Sequence, residues 1–295
     1  MKGRMQIDKI GEFALIERLA RILPKVPKGV LGIGDDTAVL PFSKDKHLLF
    51  TTDMMAQDVH FTMRMDPEGI GHKALACNIS DIAAMGGKPT YAVVSIAMPA
   101  KTDVKFIEGV YKGLARTAKA FKVSIVGGDS IKADKIIINV ALLGEVSKKH
   151  LVMRSGAQPG DWVFVSGPLG GSFNSGHHLS FTPCVKEAQF LIKNFKPSAM
   201  MDISDGLAGD LNHILRSSGV GVKLWPEAVP VYRGCTYEQA LGDGEDYELL
   251  FTLSPKKAVK LMQWQIKKHV FMFYPIGEII ADKKQRVNVK SFTHY

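Results

Sequence analysis

The placement of its aspartates constrains this 295-residue chain more than any other feature. Three strongly apolar runs end in carboxylates: LLFTTD at Asp53, SIVGGD at Asp129, and AMMDISDG at Asp202 and Asp205. Asp35 and Asp36 sit in the glycine turn GIGDD, and Asp243, Glu245 and Asp246 crowd GDGEDYEL. Asp81 falls in the middle of ALACNISDIAAM, a segment otherwise almost without charge. Short apolar runs bounded by turns read as buried strands, and their alternation with periodic helices makes α/β layers. Carboxylates placed where such strands emerge repel one another and resist desolvation. They persist together only with cations between them. Oxygen donors without His or Cys partners suit Mg2+ rather than zinc. Each acid alone has a plainer explanation, since Asp205-Gly206 is a common turn pair and Asp35-Asp36 can cap turns. The set carries the argument, and Asp81 is its hardest member to explain otherwise.

The remaining pattern predicts two domains. A helix over 8–23 precedes strands at 37–40 and 47–53. Asp66-Pro67-Glu68 starts a second helix that stops at Gly86-Gly87. A strand over 91–98 leads to a helix capped by Thr102 and Asp103, then strands at 123–129 and 135–146. This β-α-β-α-β-β order describes an α/β domain over 1–150. A polar, turn-rich stretch at 148–160 marks the boundary. The second domain, 151–295, holds strands near 161–167 and 248–253, helices near 184–194 and 255–268, the segment DISDGLAGDLNHIL over 202–215, and late strands.

Composition is that of a globular protein, with 46% hydrophobic and 23% charged residues. No apolar run approaches the roughly 18 residues that span a bilayer. MKGRMQIDKIGE lacks the continuous apolar stretch of a secretory signal. Cys77, Cys184 and Cys235 form no CxxC pair, so neither a disulfide framework nor a zinc site is expected, and a reducing cytoplasm fits. The net charge of +9 favours anionic partners, nucleotides and phosphate esters included. No aromatic-basic interleaving accompanies it, so nucleic acid is not the expected partner.

There is no Walker A sequence, no kinase-type GxGxxG and no HRD or DFG. Phosphoryl transfer needs a neutralised polyphosphate and an aligned acceptor, and several magnesium ions on a carboxylate cluster provide both. Glycine turns at 127–128 and 170–171 would let backbone amides approach phosphate oxygens. The residues alone thus reach metal-dependent phosphate chemistry.

Eight segments, GEFALIERL, GIGDDTAVL, TTDMMAQDVHF, KALACNISDIAAMGG, VGGD, RSGAQPGDWVFVSG, DISDGL-x-x-DL and GDGEDYELLFT, occur in the order and spacing of the thiamine-monophosphate kinases. The resemblance runs from about Gly11 to the carboxyl end. It implies the two-domain PurM-like (AIR synthetase-like) architecture: an α/β dimerisation domain, an α+β carboxyl-terminal domain, and ATP between them. It also implies several Mg2+ ions, ATP as co-substrate, thiamine monophosphate as acceptor of the γ-phosphate, and a cytoplasmic homodimer with no nucleic-acid or membrane partner. By position, Asp36, Thr51, Thr52, Asp53, Asp81, Asp129, Asp202 and Asp205 match metal-binding residues, with Asp53, Asp81 and Asp129 also catalytic. Tyr111, Gly128, Asp129, Arg154 and Ser204 match ATP contacts. His60, Glu245 and Phe292 match substrate contacts.

Two departures from the family pattern stand out. LGDGEDYEL adds Asp243, and the segment between Ser172 and Met201 is short. Rival readings lack their residues. Selenophosphate synthetase needs a reactive Cys in an amino-terminal glycine loop, whereas the first cysteine here is Cys77, inside a helix. The hydrogenase maturation factor ends in cysteine where this chain has Tyr295, and aminoimidazole ribonucleotide synthetase lacks the GEDYEL and VHF combination. A basic nucleic-acid-binding protein, the rival of a different class, leaves the aspartates unexplained.

Overall fold

Period-two burial builds the first sheet of the protein, seen in a computed structural model that describes residues 6–287 and 289. Its strands are β1 (Ala38–Pro41), β2 (Lys46–Ala56), β3 (Lys88–Met98), β4 (Ser124–Lys132) and β5 (Ile137–Ser147), in the order β1-β2-β5-β3-β4. Along β5, Ile138, Val140, Leu142 and Val146 turn inward while the side chains between them face the other way. The pairs are antiparallel except β3 and β4, which run parallel. The chain between those two crosses over as a helix, the usual solution for parallel neighbours.

Three helices belong to this half: α1 (Glu12–Ile22), α2 (Pro67–Ala84) and α3 (Val104–Phe121). Asp66 caps α2 by accepting from the Glu68 and Gly69 amides, with Pro67 at the first helical position. The predicted helix over 8–23 is interrupted: Ile7–Lys9 is a 3-10 turn, and Gly11 at φ 71° separates it from α1. Ile16 and Leu19 on α1, and Leu23 just after it, are exposed. Periodicity therefore foretold the helix but not its burial.

α2 and α3 cover the inner face of the sheet, packing Leu75, Ile79 and Ile82 with Val110 and Leu114 against Leu49, Val94 and Val140. They approach through glycines. A Cβ on Gly113 would lie 1.9 Å from the Glu68 carbonyl oxygen, and one on Gly71 1.8 Å from that of Val110. Gly113→Ala should therefore destabilise the fold by about 2–3 kcal/mol. Urea denaturation reads this, and an unchanged midpoint would show that the helices part freely. The sheet's outer face is left open, exposing Phe50, Met54, Tyr91, Val93, Val126 and Ile131.

The second sheet has β6 (Trp162–Val165), β7 (Ala199–Asp202), β8 (Gly221–Leu224), β9 (Leu249–Leu253) and β10 (Tyr274–Ile280), all antiparallel, in the order β7-β9-β6-β10-β8. With it come α4 (Ser172–Ser175), α5 (Val185–Asn194), α6 (Leu207–Ser218), α7 (Tyr237–Gly242) and α8 (Pro255–Lys268). α6 packs Leu207, Leu211 and Ile214 on one face with Val163 and Leu250. On the other face, α5 and α8 place Leu191 and Leu261 against Phe164 and Phe251. Interior β9 is buried throughout, as a strand covered on both faces must be.

Ala83 and Ala84, at the end of α2, belong to this second core. One helix thus spans the seam between the halves, and Asp81 rides one turn before its end.

Candidate active site

Four of the predicted acids meet at that seam. β7 delivers Asp202, 3% exposed, where the strand ends against α2. β2 brings Thr51, whose hydroxyl donates to Asp81 Oδ2 at 2.6 Å. The GIGDD turn brings Asp36. Among the described residues, Asp36, Asp81 and Asp202 each place one carboxylate oxygen within 4.8 Å of the others. Asp53, two residues beyond Thr51 and so on the same sheet face, adds its charge.

Arg154, from the segment joining the halves, is the cation facing this group. Its Nε and Nη2 donate to Asp36 Oδ1 at 2.9 and 2.5 Å, and its amide donates to Asp35. That charge does not satisfy the cluster. Asp36 Oδ2 and Asp202 Oδ2 are buried without hydrogen-bond partners. Such orphaned acceptors are costly in a folded chain.

Burial, then repulsion from Asp205 and Asp36, raises the Asp53 carboxyl to about 6. Burial first and Asp36 next raise Asp202 to about 7, against opposing help from Ser80 and Arg154. Asp81 is pushed well up, by burial and then by Asp53, Asp202 and Asp36. Raised carboxyls mean that the folded chain binds protons which the unfolded chain, titrating near 3.9, has already released. The cluster's share of the metal-free protein's stability should therefore fall as pH rises from about 4 through about 7. Melting in EDTA checks this. Mg2+ should raise the melting temperature more at pH 7.5 than at pH 5, and an equal rise at both would contradict the cluster's role.

The DISDG turn stands beside the cluster. Asp210, on α6, accepts from the Ser204 and Asp205 amides at 3.0 Å each and so fixes the turn. Asp205, Asp210 and His213 form a second group of ligand atoms within 4.8 Å. Ser204 and Asp205 share a cavity of about 230 Å³ with Asp53, His60 and Glu245. His60 Nδ1 accepts from the Ala56 amide at 3.0 Å.

That cavity contains a residue the sequence reading missed. Lys73, 1% exposed, points its ammonium at Glu245 Oε1 (2.5 Å), the His60 carbonyl (3.0 Å) and His178 Nδ1 (3.0 Å). His178 is fully buried, and its Nδ1 lies 3.2 Å from Glu245 Oε2. Glu245 adopts φ 67°, a left-handed backbone unusual for a side chain of this kind.

Other predicted residues lie apart. Thr52 faces the opposite side of β2, donating to Asn139 Oδ1 at 3.0 Å. Asp129 is exposed on β4. Register aligns Asp53 with Val140, Val94 and Gly128 across β2-β5-β3-β4. Three strand spacings put Gly128 roughly 14 Å from Asp53. Of the predicted metal-binding aspartates, Asp129 is thus not brought to the pocket of Asp36, Asp53, Asp81 and Asp202, because β4 is an edge strand. Tyr111, Gly128 and Asp129 line their own open cavity of about 430 Å³. Gly128 is required there, since a Cβ would fall 1.8 Å from the Val94 carbonyl oxygen. The Gly170-Gly171 turn is a second correction: its amides already donate to Asp246 and Asp243, so they are not open to a phosphate. Phe292 lies outside the described residues.

Two sheet-and-helix halves with a carboxylate cluster at their seam define the AIR synthase related class. The AIR synthase related protein N-terminal domain matches residues 34–146 and the C-terminal domain residues 158–290. The thiamine-monophosphate kinase of Aquifex aeolicus (strain VF5) is 36% identical over 278 residues, covering 84% of this chain and 87% of that protein. That of Bacillus subtilis (strain 168) is 36% identical over 290 residues, covering 88% and 89%. The solved structure of AaThiL complexed with AMPPCP and TMP superposes with a TM-score of 0.87 at 33% identity, covering 99% of each chain. The chain belongs to the thiamine-monophosphate kinase family.

Proposed function

We propose that the chain transfers the γ-phosphate of ATP to thiamine monophosphate, giving thiamine diphosphate and ADP, in a Mg2+-dependent reaction in the cytoplasm. The observation that carries the reading is the convergence of Asp36, Asp81 and Asp202 with two buried, partnerless carboxylate oxygens. An all-oxygen donor set of this charge fits Mg2+. Asp36, Asp53, Asp81 and Asp202 would hold the metal, with Thr51 and Asp205 beside them. When bound there, Mg2+ supplies neutralisation of the phosphate charge and polarises the transferring group.

The chain's own residues do the rest. Arg154 holds Asp36 in place and offers its guanidinium edge to a phosphate oxygen. The Thr51 hydroxyl orients Asp81. Glu245 and His60 form the wall that receives the acceptor's organic part, with the Glu245 carboxylate suited to its cationic ring. The acceptor oxygen is already ionised at neutral pH, so alignment replaces a general base. Incubation with ATP, Mg2+ and thiamine monophosphate should yield thiamine diphosphate on chromatography. ATP consumption without that product would reject the acceptor.

The 1–150 and 151–295 halves act together in this reading, and a homodimer completes it. The open outer face of the first sheet is apolar, at Phe50, Met54, Tyr91, Val93, Val126 and Ile131, and a second copy is the occupant that fits. Tyr111 of the partner's α3 and Gly128 and Asp129 of its β4 then serve the nucleotide, which accounts for their distance from Asp53. Mixing inactive Asp81→Asn and Asp129→Asn chains tests this. If each site draws on two chains, mixed dimers regain up to about one quarter of wild-type activity, one intact site in half of the dimers. No recovery in demonstrably mixed dimers would place Asp129 outside a shared site.

A further inference from the structure

A cavity of about 790 Å³ takes no part in the chemistry above. It shares no residue with the cavity of Asp53 and Glu245. Lys46, on its wall, begins β2, and Asp53 stands seven residues further along that strand, about 23 Å away. Both halves of the molecule build it: β2, β3, β5 and the end of α3 from the first, Val185, Lys186 and Gln189 of α5 from the second. Gln189 donates to the Gly86 and Gly87 carbonyls and so joins α5 to the turn that ends α2.

The lining is strongly one-signed. Lys46, Lys88, Lys122, Lys186 and His150 face it, against a single acid, Glu145, which Lys46 already engages at 2.5 Å. Burial, then Lys149, Lys196 and Lys193, depress the His150 imidazole, which is the response to a positive field with too little counter-charge. Phe121, Val146 and Val185 add apolar lining to the same cavity. A concave, uncompensated positive site concentrates anions. Its volume is that of a small-molecule pocket, within the usual range of about 300–1,000 Å³, rather than of a polymer-binding stripe.

We propose that this cavity is a second, non-catalytic binding site for a small phosphate ester with an apolar body. Lys88, Lys122 and Lys186 take its phosphate, and Phe121, Val146 and Val185 take its body. The site does not depend on the kinase reading. Calorimetric titration in low salt with EDTA, using adenosine monophosphate and inorganic pyrophosphate as probes, tests it. EDTA leaves the carboxylate cluster without metal and therefore repulsive to both. Wild-type protein should bind at least one probe saturably, one per chain. The variant K88E/K186E, altered at two exposed lysines, should weaken that binding by about 10-fold or more while melting as the wild type does. Equal binding by the variant, or no saturable binding of either probe, overturns the proposal. So does a single-stranded RNA oligonucleotide that binds more tightly than both with a steep salt dependence.

Discussion

Asp81→Asn should lower turnover by about 10³-fold while leaving the metal-free protein more stable, not less. The substitution keeps the side-chain volume and an oxygen for the Thr51 hydroxyl, now 2.6 Å from Asp81 Oδ2. What it removes is charge. Asp81 is half-buried among Asp53, Asp202 and Asp36, and desolvation first and then those neighbours push its carboxyl well up. Arg154 gives it no direct relief, since the guanidinium turns its Nε and Nη2 to Asp36. A neutral amide therefore relieves repulsion that only protons or a divalent cation otherwise relieve. Two melting curves separate this from a merely structural role. In EDTA the variant should melt above the wild type at pH 7.5, and with Mg2+ the wild type should gain much more than the variant. Near-normal turnover with Mg2+ present, or an equal loss of stability in both buffers, would defeat the cluster model.

That cluster was legible because the signal was local. An acid inside an almost uncharged helix, and acids ending apolar strands, can be read in windows of ten residues. Asp36, Asp81 and Asp202 then need only strands and helices in sensible places to meet. Strand order was not legible. Asp53 and Asp129 have the same local context, an apolar strand ending in aspartate, yet two strands, β5 and β3, lie between their strands. Nothing in either segment says which strand becomes an edge. The Gly170-Gly171 turn failed for a related reason. Its amides are taken by Asp243 and Asp246, more than seventy residues on, so an apparently open phosphate cradle is already filled. Asp243, the departure from the family pattern, thereby has a structural task.

Lys73 should have been found. It lies in KALACNISD, eight residues before Asp81 in the same almost uncharged helix, and the reasoning that singled out Asp81 applies to it equally. His178 could not have been found this way, because its contact with Lys73 spans 105 residues of sequence.

Lys73→Met should destabilise the protein by about 3–5 kcal/mol. The side chain is the only cationic lysine or arginine partner of Glu245 among the described residues, at 2.5 Å, and it is almost fully buried. Burial alone pushes the Glu245 carboxyl up. The His178 ring 3.2 Å away and the Lys73 ammonium outweigh it and hold the group below the usual carboxylate range. Methionine fills the space but strands the carboxylate, which must then protonate or draw in water. The same ammonium binds the His60 carbonyl, so the loss loosens both residues proposed to face the acceptor. The KM for thiamine monophosphate should rise about 10–100-fold with that for ATP nearly unchanged. Combining Lys73→Met with Glu245→Gln removes the stranded charge as well, and the double variant should be more stable than Lys73→Met alone. Strict additivity of the two losses would mean that Lys73 supports the fold by packing only. A KM that rises equally for ATP would mean that it does not position the acceptor wall.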